Sequence, residues 1–195
     1  MYKNAFWTDL ELPSGLLWAR GNLAKKINTT EYYIGEETNK DTFFSWANAN
    51  GYTVGETYSF DEANYSSTPG YSLGAFNGNY SEYDTRYDAG CAHFGSPVRV
   101  PTRDDYNELI NNTDKEEATI NGIAGYKFMK KTNHEVYIFF PKCGSWQGTS
   151  VVYTDNGFYW TRNNTTSYNA IRFESNGPSV GGSRRERGMC LRIVK

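Results

Sequence analysis

The chain has 195 residues and a formal net charge of -2, with 38% hydrophobic, 16% aromatic and 22% charged residues. This length fits one domain spanning 1–195 better than two small ones. The aromatic content argues against disorder, and Ala, Leu, Glu and Lys do not dominate as they would in a coiled coil or helical bundle. With 19 glycines and 16 tyrosines among many Asn, Thr and Ser residues, the expectation is a loop-rich domain with a real core.

No stretch approaches the ~18 apolar residues that span a bilayer, and Met1 to Asp9 lacks a basic region followed by an apolar one. Neither membrane insertion nor an export signal is therefore expected. Cys91, Cys143 and Cys190 cannot all pair within one monomer and lack metal-ligand spacing, so reduced, buried thiols are expected.

Asp9 to Leu12, the turn Pro13-Ser14-Gly15 and the apolar run Leu16 to Ala19 read as strand, tight turn, strand. From Asn28 to Tyr83 no period is sustained, and the expectation is long loops pinned by Tyr32, Phe43, Phe44, Trp46 and Phe60. One helix is expected over Asp84 to Phe94, stopped by Gly95, although Gly90 inside it costs about 1 kcal/mol relative to Ala. A stronger helix begins after Thr102 as N-cap, with Asp105 completing a capping box, Tyr106, Leu109 and Ile110 on one face, and Asn111-Asn112 closing it.

Tyr126 to Lys131 and Glu135 to Phe140 flank the polar turn Thr132-Asn133-His134 as a hairpin, while Glu116-Glu117 reads as a polar stretch. Short strands follow at Val151 to Tyr153, Gly157 to Arg162, Ala170 to Glu174 and Gly188 to Val194. Ile171 and Phe173 are expected inward with Arg172 and Glu174 outward, and Met189, Leu191 and Ile193 on one face of the last strand. Strands at both ends with helices between them give an α+β domain whose termini lie near each other.

No local signature surrounds a nucleophile with a base. Cys with His is the only nominal pair, His93 and His134 lack a second metal-binding residue type beside them, and the acids Asp104-Asp105 suit a helix N-terminus. Gly181-Gly182-Ser183 lacks the Lys and helix of a phosphate loop. No catalytic residue, metal or cofactor is expected, and nucleic acid is disfavoured because the whole chain is slightly acidic.

Charge is unevenly placed: residues 145–195 carry +4 and residues 1–144 carry -6. The same basic quarter interleaves Trp and Tyr with Asn, a mixture of rigid amphipathic area and adaptable hydrogen bonding typical of paratopes. The candidate ligand-binding residues are Ser145, Trp146, Gln147, Tyr153, Asp155, Asn156, Arg162, Asn163, Asn164, Ser167, Tyr168, Asn169, Arg172, Asn176, Arg184 and Arg185. Their arginines are expected outward, offering planar donors to acidic or carbonyl-bearing ligands.

Several blocks then appear in order: Asp9 to Ala19, Phe43-Phe44-Ser45-Trp46, Tyr87-Asp88-Ala89, Val98 to Thr102 with Glu108-Leu109-Ile110, Asn121 to Lys127, Ile138 to Pro141, Gly157 to Trp160, and Leu191 to Val194. This series resembles the major paralogous domain family of gut bacteria and their phages over nearly the whole chain. The resemblance implies a C-type-lectin-like fold, with paired terminal strands, two helices packed on a small sheet, and a loop-rich ligand-binding face.

The group includes variable proteins of diversity-generating retroelements, in which adenine-directed mutagenesis diversifies codons near the carboxy terminus, often asparagine codons. Such proteins recognise host receptors at phage tails. The matching candidate variable region is 144–187.

The implied partner is a bacterial surface protein or glycan, with self-association or attachment to a larger tail protein. The implied location is the virion tail if the chain is phage-encoded, and otherwise the bacterial surface, where the alternative is an adhesin or glycan-binding module. The sequence departs from the family at Pro141-Lys142-Cys143-Gly144 and Trp160-Thr161-Arg162. It carries neither calcium motif of sugar-binding C-type lectins, so calcium-dependent sugar binding is not implied. The fold also hosts the formylglycine-generating oxidase, a rival reading that needs a reactive thiol pair.

Overall fold

The structure, a computed structural model, describes residues 6–72, 85–164 and 169–195. It is mixed α+β, with few helices and small antiparallel sheets. The opening hairpin forms as its sequence predicts: β1 (Trp7–Asp9) pairs with β2 (Leu17–Ala19), Asp9 opposite Leu17. The turn closes through the Gly15 amide on the Leu12 carbonyl (2.9 Å). Gly15 has φ 73 in open space, so the left-handed backbone alone calls for glycine.

Two small hairpins form in and just before the region expected as long loops, β3 (Leu23–Lys25) with β4 (Tyr32–Ile34) and β5 (Thr42–Phe44) with β6 (Gly51–Thr53). Strands of three residues are too short for alternation to show in sequence. A polar hub ties them: the Glu56 carboxylate accepts from Lys25 Nζ (2.8 Å), Asn28 N (2.6 Å) and Thr53 N (2.7 Å). Two one-turn helices follow, α1 (Glu62–Tyr65), capped by Asp61, and α2 (Pro69–Ser72).

The first expected helix is shorter than predicted. After a 3-10 turn (Thr85–Tyr87), Asp88 caps α3 (Ala89–Phe94) by accepting from the amides of Gly90 and Cys91, and Gly95 ends it. The expected start, Asp84, lies outside the described residues. Gly90 is there because a Cβ would stand 2.8 Å from the Arg99 backbone, which the helix packs against. The second helix, α4 (Arg103–Asn112), is as expected: Thr102 Oγ1 accepts from Asp105 N (3.1 Å), Asp105 Oδ2 accepts from Thr102 N (2.6 Å), and Tyr106 and Leu109 are buried.

A three-stranded meander comes next: β7 (Thr113–Ile120), β8 (Ile123–Lys130) and β9 (Asn133–Pro141). The hairpin of β8 and β9 was legible; β7, read as a polar stretch, was not. Most of its side chains are at least partly exposed at the sheet edge, so it has no apolar alternation to detect. The sign of it was Asn121-Gly122, both at positive φ (50 and 79), the residue pair that a two-residue hairpin turn demands.

The last third holds β10 (Ser145–Gln147) paired with β11 (Ser150–Val152), then β12 (Gly157–Trp160), β13 (Ala170–Glu174) and β14 (Gly177–Gly181) as a three-stranded sheet. Two apolar clusters meet at this sheet. Tyr159, Ile171 and Phe173 join Trp18 and Phe140 in one; Trp160 and Ala170 join Phe44, Trp46 and Leu191 in the other.

The closing segment corrects the expectation of an alternating strand. Residues 188–194 are buried throughout and touch several neighbours through single bridges, Trp18 with Val194, Phe44 with Met189, and Trp146 with Gly188. The termini still meet, since Leu17 and Lys195 exchange two backbone bonds of 3.0 Å. Met189, Leu191 and Ile193 do share one cluster, as expected, and Arg192 on the other side is fully buried. Its guanidinium donates to the carbonyls of Ala19 (2.9 Å), Arg20 (2.6 Å) and Phe139 (2.5 Å) and lies over the Phe140 ring (4.4 Å).

Candidate ligand-binding face

Of the sixteen candidate residues, Ser167 and Tyr168 lie outside the described residues. The other fourteen separate into three groups, and the first corrects the sequence reading. Ser145, Trp146, Arg162, Asn163, Asn164 and Asn169 are buried rather than outward.

Trp146 is a core anchor, edge-on to Phe43 (5.6 Å, 87°) and 5.2 Å from Phe60. Its backbone bonds to Gly188 in both directions (2.9 and 2.8 Å), and a Cβ at Gly188 would stand 2.9 Å from Trp146 and from the Phe60 ring. Ser145 Oγ donates to the Gly188 carbonyl (3.4 Å). This strand therefore belongs to the apolar centre, because Trp146 fills the space between the early aromatics and the closing segment.

The Arg162-Asn163-Asn164 run is an internal connector. Arg162 Nη1 sits 3.7 Å from Asp88, whose carboxylate also accepts from the amides of Gly90 (2.9 Å), Cys91 (3.1 Å) and Val100 (3.0 Å). Burial pushes the Asp88 carboxyl above its ordinary range, and the Cys91 and Val100 amides, the Arg162 charge and the Gly90 amide oppose that. Asn163 Oδ1 accepts from the Arg103 amide (2.6 Å), capping α4 a second time. Asn164 Oδ1 accepts from Arg185 Nη2 (3.0 Å). Asn169 clamps Ser183, donating to its carbonyl (3.0 Å) and accepting from its amide (2.8 Å). Asparagines read as adaptable ligand contacts instead hold loops to each other.

A second group is half-buried. Arg185 stacks its guanidinium on Trp46 (4.0 Å) and is thereby docked against the early segment. Arg172 donates from Nη2 to the Gly182 carbonyl while the strand keeps it on the face opposite Ile171 and Phe173, as expected. Gln147 and Asn156 complete this group, the Asn156 carbonyl accepting from the Gly144 amide (2.8 Å).

The third group is exposed: Tyr153, Asp155, Asn176 and Arg184. Register places the first three together. The turn Tyr153 to Asn156 runs into Gly157, which pairs with Phe173, and Phe173 pairs with Pro178 beside the Glu174 to Gly177 turn that carries Asn176. Arg184 belongs to the opposite end, beyond Ala170 and Gly181, paired at 3.8 Å with Glu186. Along the five residues of β13 the two ends stand about 13 Å apart. The candidate site is thus two patches rather than one.

The first patch gains a residue the sequence reading missed. Phe158, Arg172 and Ser179 lie in one row on the side of the sheet that Trp160 and Ala170 bury; Phe158 is half-buried against that second cluster, with its ring 6.3 Å from that of Tyr153. Phe158 was recoverable from the two-residue period of β12, whose Tyr159 points to the opposite side. Tyr153 is the most unusual member. It is 60% exposed and has φ 55, a left-handed backbone that a bulky side chain rarely adopts. The turn around it is held by the Asn156 amide on the Tyr153 carbonyl (3.0 Å), so the conformation is fixed while the ring is presented to solvent.

Concavities lie elsewhere on the molecule. One of about 530 Å3 is lined by residues including Ile27, Tyr33, Asp41 and Val54, and another of about 540 Å3 by residues including Trp7, Arg20 and Tyr137. His93 Nε2 lies 2.7 Å from the Ala49 carbonyl with its ring stacked on Tyr32 (3.6 Å), and His134 Nε2 is 2.7 Å from Asp114. Among the described residues no group of three or more His, Cys, Asp or Glu is placed to hold a metal ion. No helix among them is long and apolar enough to cross a membrane. Cys91 is partly exposed, whereas Cys143 and Cys190 are buried in the same apolar cluster. Comparison of the chain with protein-family models, with curated proteins and with solved structures finds no match in any of the three.

Proposed function

We propose that this protein is a non-enzymatic binding domain on a C-type-lectin-like scaffold, which recognises a bacterial surface protein or glycan as a phage tail receptor-binding component does. Its contact surface is the Gly157 end of the sheet of β12, β13 and β14, formed by the turns at 153–156 and 174–177. The observation that carries the reading is Tyr153, a large aromatic held 60% exposed on a left-handed backbone. Glycine or asparagine would suit that backbone better, so the fold gains nothing from Tyr there. Such outliers collect where a side chain is wanted for contact with another molecule.

Asparagine codons changed at their adenines can encode Tyr, which fits the diversification that the sequence resemblance implies. Around Tyr153, Asp155 and Asn176 supply acceptors and amide donors and the half-buried Phe158 a second ring, the mixture that makes a hot spot with a polar rim. The elements beneath are tied down by core aromatics, so the face is presented preorganised.

The test is a triple substitution, Tyr153→Ala, Asp155→Ala and Asn176→Ala, in fluorescently labelled protein mixed with a panel of intact gut bacteria. The expected result is at least a tenfold loss of binding to the strain that the parent protein labels, with the melting temperature changed by only a few degrees. Equal labelling by parent and variant refutes this face. Pretreating the cells with protease or with periodate separates a protein receptor from a glycan.

A further inference from the structure

Cys143 follows the end of β9, Cys190 lies in the closing segment 47 positions later, and the fold brings them together. Cys143 Sγ is 3.5 Å from the Phe158 carbonyl, the same oxygen that accepts from the Cys190 amide at 3.2 Å. Cys190 Sγ lies 3.9 Å from the Lys40 carbonyl, and Cys190 sits beside Tyr159 through a backbone bridge, one residue on from Phe158. They are 3% and 0% exposed, inside the apolar cluster with Tyr106 and Tyr159.

Two neighbouring thiols are not needed to fill that space, since an alanine or a valine would pack there without a polar atom. What this pair can do that other small residues cannot is form a bond. The segment it would enclose, residues 144–189, contains β10 to β14 and every described residue of the proposed face.

We propose that Cys143 and Cys190 are a disulfide-forming pair that closes residues 144–189 into a covalent ring when the chain folds in the presence of a small-molecule disulfide such as oxidised glutathione. The Cys143 thiolate attacks one sulfur of glutathione disulfide, forming a mixed disulfide and releasing one glutathione thiolate. The Cys190 thiolate then attacks the Cys143 sulfur and releases the second glutathione. Two thiols lose two protons and two electrons, and one glutathione disulfide becomes two glutathiones.

In the folded protein burial disfavours a thiolate at either sulfur, though hydrogen bonding holds Cys143 below the ordinary thiol range while Cys190 is pushed well above it. Reaction belongs to the folding chain, because in the folded protein neither sulfur meets solvent. Once closed, the bond is shielded from reductants by the same packing. This inference stands apart from the binding reading, since it needs only the two thiols and their burial.

The experiment refolds the reduced, denatured full chain in a buffer of reduced and oxidised glutathione. Expected are an intact mass lower by about 2 Da, a proteolytic fragment joining Cys143 to Cys190, and a melting temperature higher by roughly 10 °C than that of chain refolded in reductant. Cys91→Ser keeps the joined fragment. Cys143→Ala and Cys190→Ala lose it, and their melting temperatures no longer depend on the redox buffer. Three titratable thiols in denatured samples of the oxidatively refolded wild type, or a fragment joined through Cys91, overturns the proposal.

Discussion

Replacing Tyr153 separates what this residue does for the fold from what it does at the surface. Its left-handed backbone (φ 55) costs a non-glycine residue about 1–2 kcal/mol, less for asparagine, whose short polar side chain tolerates that region. Against this stands one ring contact, with Phe158 at 6.3 Å, which contributes about 0.5 kcal/mol. Tyr153→Asn should therefore leave the protein as stable or stabilise it by up to about 1 kcal/mol. Tyr153→Ala keeps the strained backbone, loses the ring contact, and should fall about 1 kcal/mol below the asparagine variant. In thermal melts of a chain this size that gap is about 2–4 °C, and urea titration reads it directly. Both variants should lose cell binding. If Tyr153→Asn instead costs more than about 1 kcal/mol, Tyr153 is holding its turn together and the case for display fails.

Three further outcomes follow from the buried network. Asp88→Ala removes the α3 cap, the acceptor of the Val100 amide and the counter-charge of Arg162, and should cost about 3 kcal/mol in urea titration; Asp88→Asn should cost clearly less. Gly188→Ala forces a methyl to within 2.9 Å of Phe60 and Trp146 and should cost about 1–3 kcal/mol, with loss of near-ultraviolet aromatic signal. At Glu56 burial raises the carboxyl pKa, but bonds from Lys25 and the amides of Thr53 and Asn28 outweigh it and hold the pKa below 4.5. A depressed carboxylate stabilises the fold above its unfolded value and loses that contribution as pH falls through the folded one, so urea midpoints should drop below about pH 4.5, and less steeply in Glu56→Gln.

The parts of the fold legible in sequence are those where local chemistry and tertiary packing agree. Thr102 with Asp105 announces α4 because the capping box is a bond between neighbours, and the opening hairpin announces itself through Pro13-Ser14-Gly15. The miniature hairpins between Leu23 and Thr53 were not legible because three residues give no period, and their cohesion comes from Glu56, far along the chain from Lys25. The closing segment misled for a different reason: its alternation is real, but both faces are covered, and Arg192 satisfies three carbonyls in the interior. The candidate site was legible only in outline. Asn163 and Asn169 look like loop-tip contacts until their partners, Arg103 and Ser183, are known.

The same partners change what the basic surplus of residues 145–195 can do. Arg162 faces Asp88 in the interior, Arg192 is surrounded by backbone carbonyls, Arg185 lies on Trp46, and Arg172 is tied to Gly182. Lys195 sits over the Trp7 ring at 4.6 Å. Of the seven Lys and Arg residues in 145–195, Arg184 alone is exposed rather than buried or half-buried, and Glu186 stands 3.8 Å from it. A +4 excess written in sequence is therefore engaged mostly in joining loops, and little of it reaches solvent as a field. Long-range attraction of an acidic partner needs exposed charge within a Debye length, about 8 Å at physiological salt. Binding through the Tyr153 face should accordingly depend on contact area and hydrogen bonds, and its association rate should change less than about threefold between 50 and 300 mM salt. A steep salt dependence would locate recognition on the acidic first 144 residues or on segments beyond the described face.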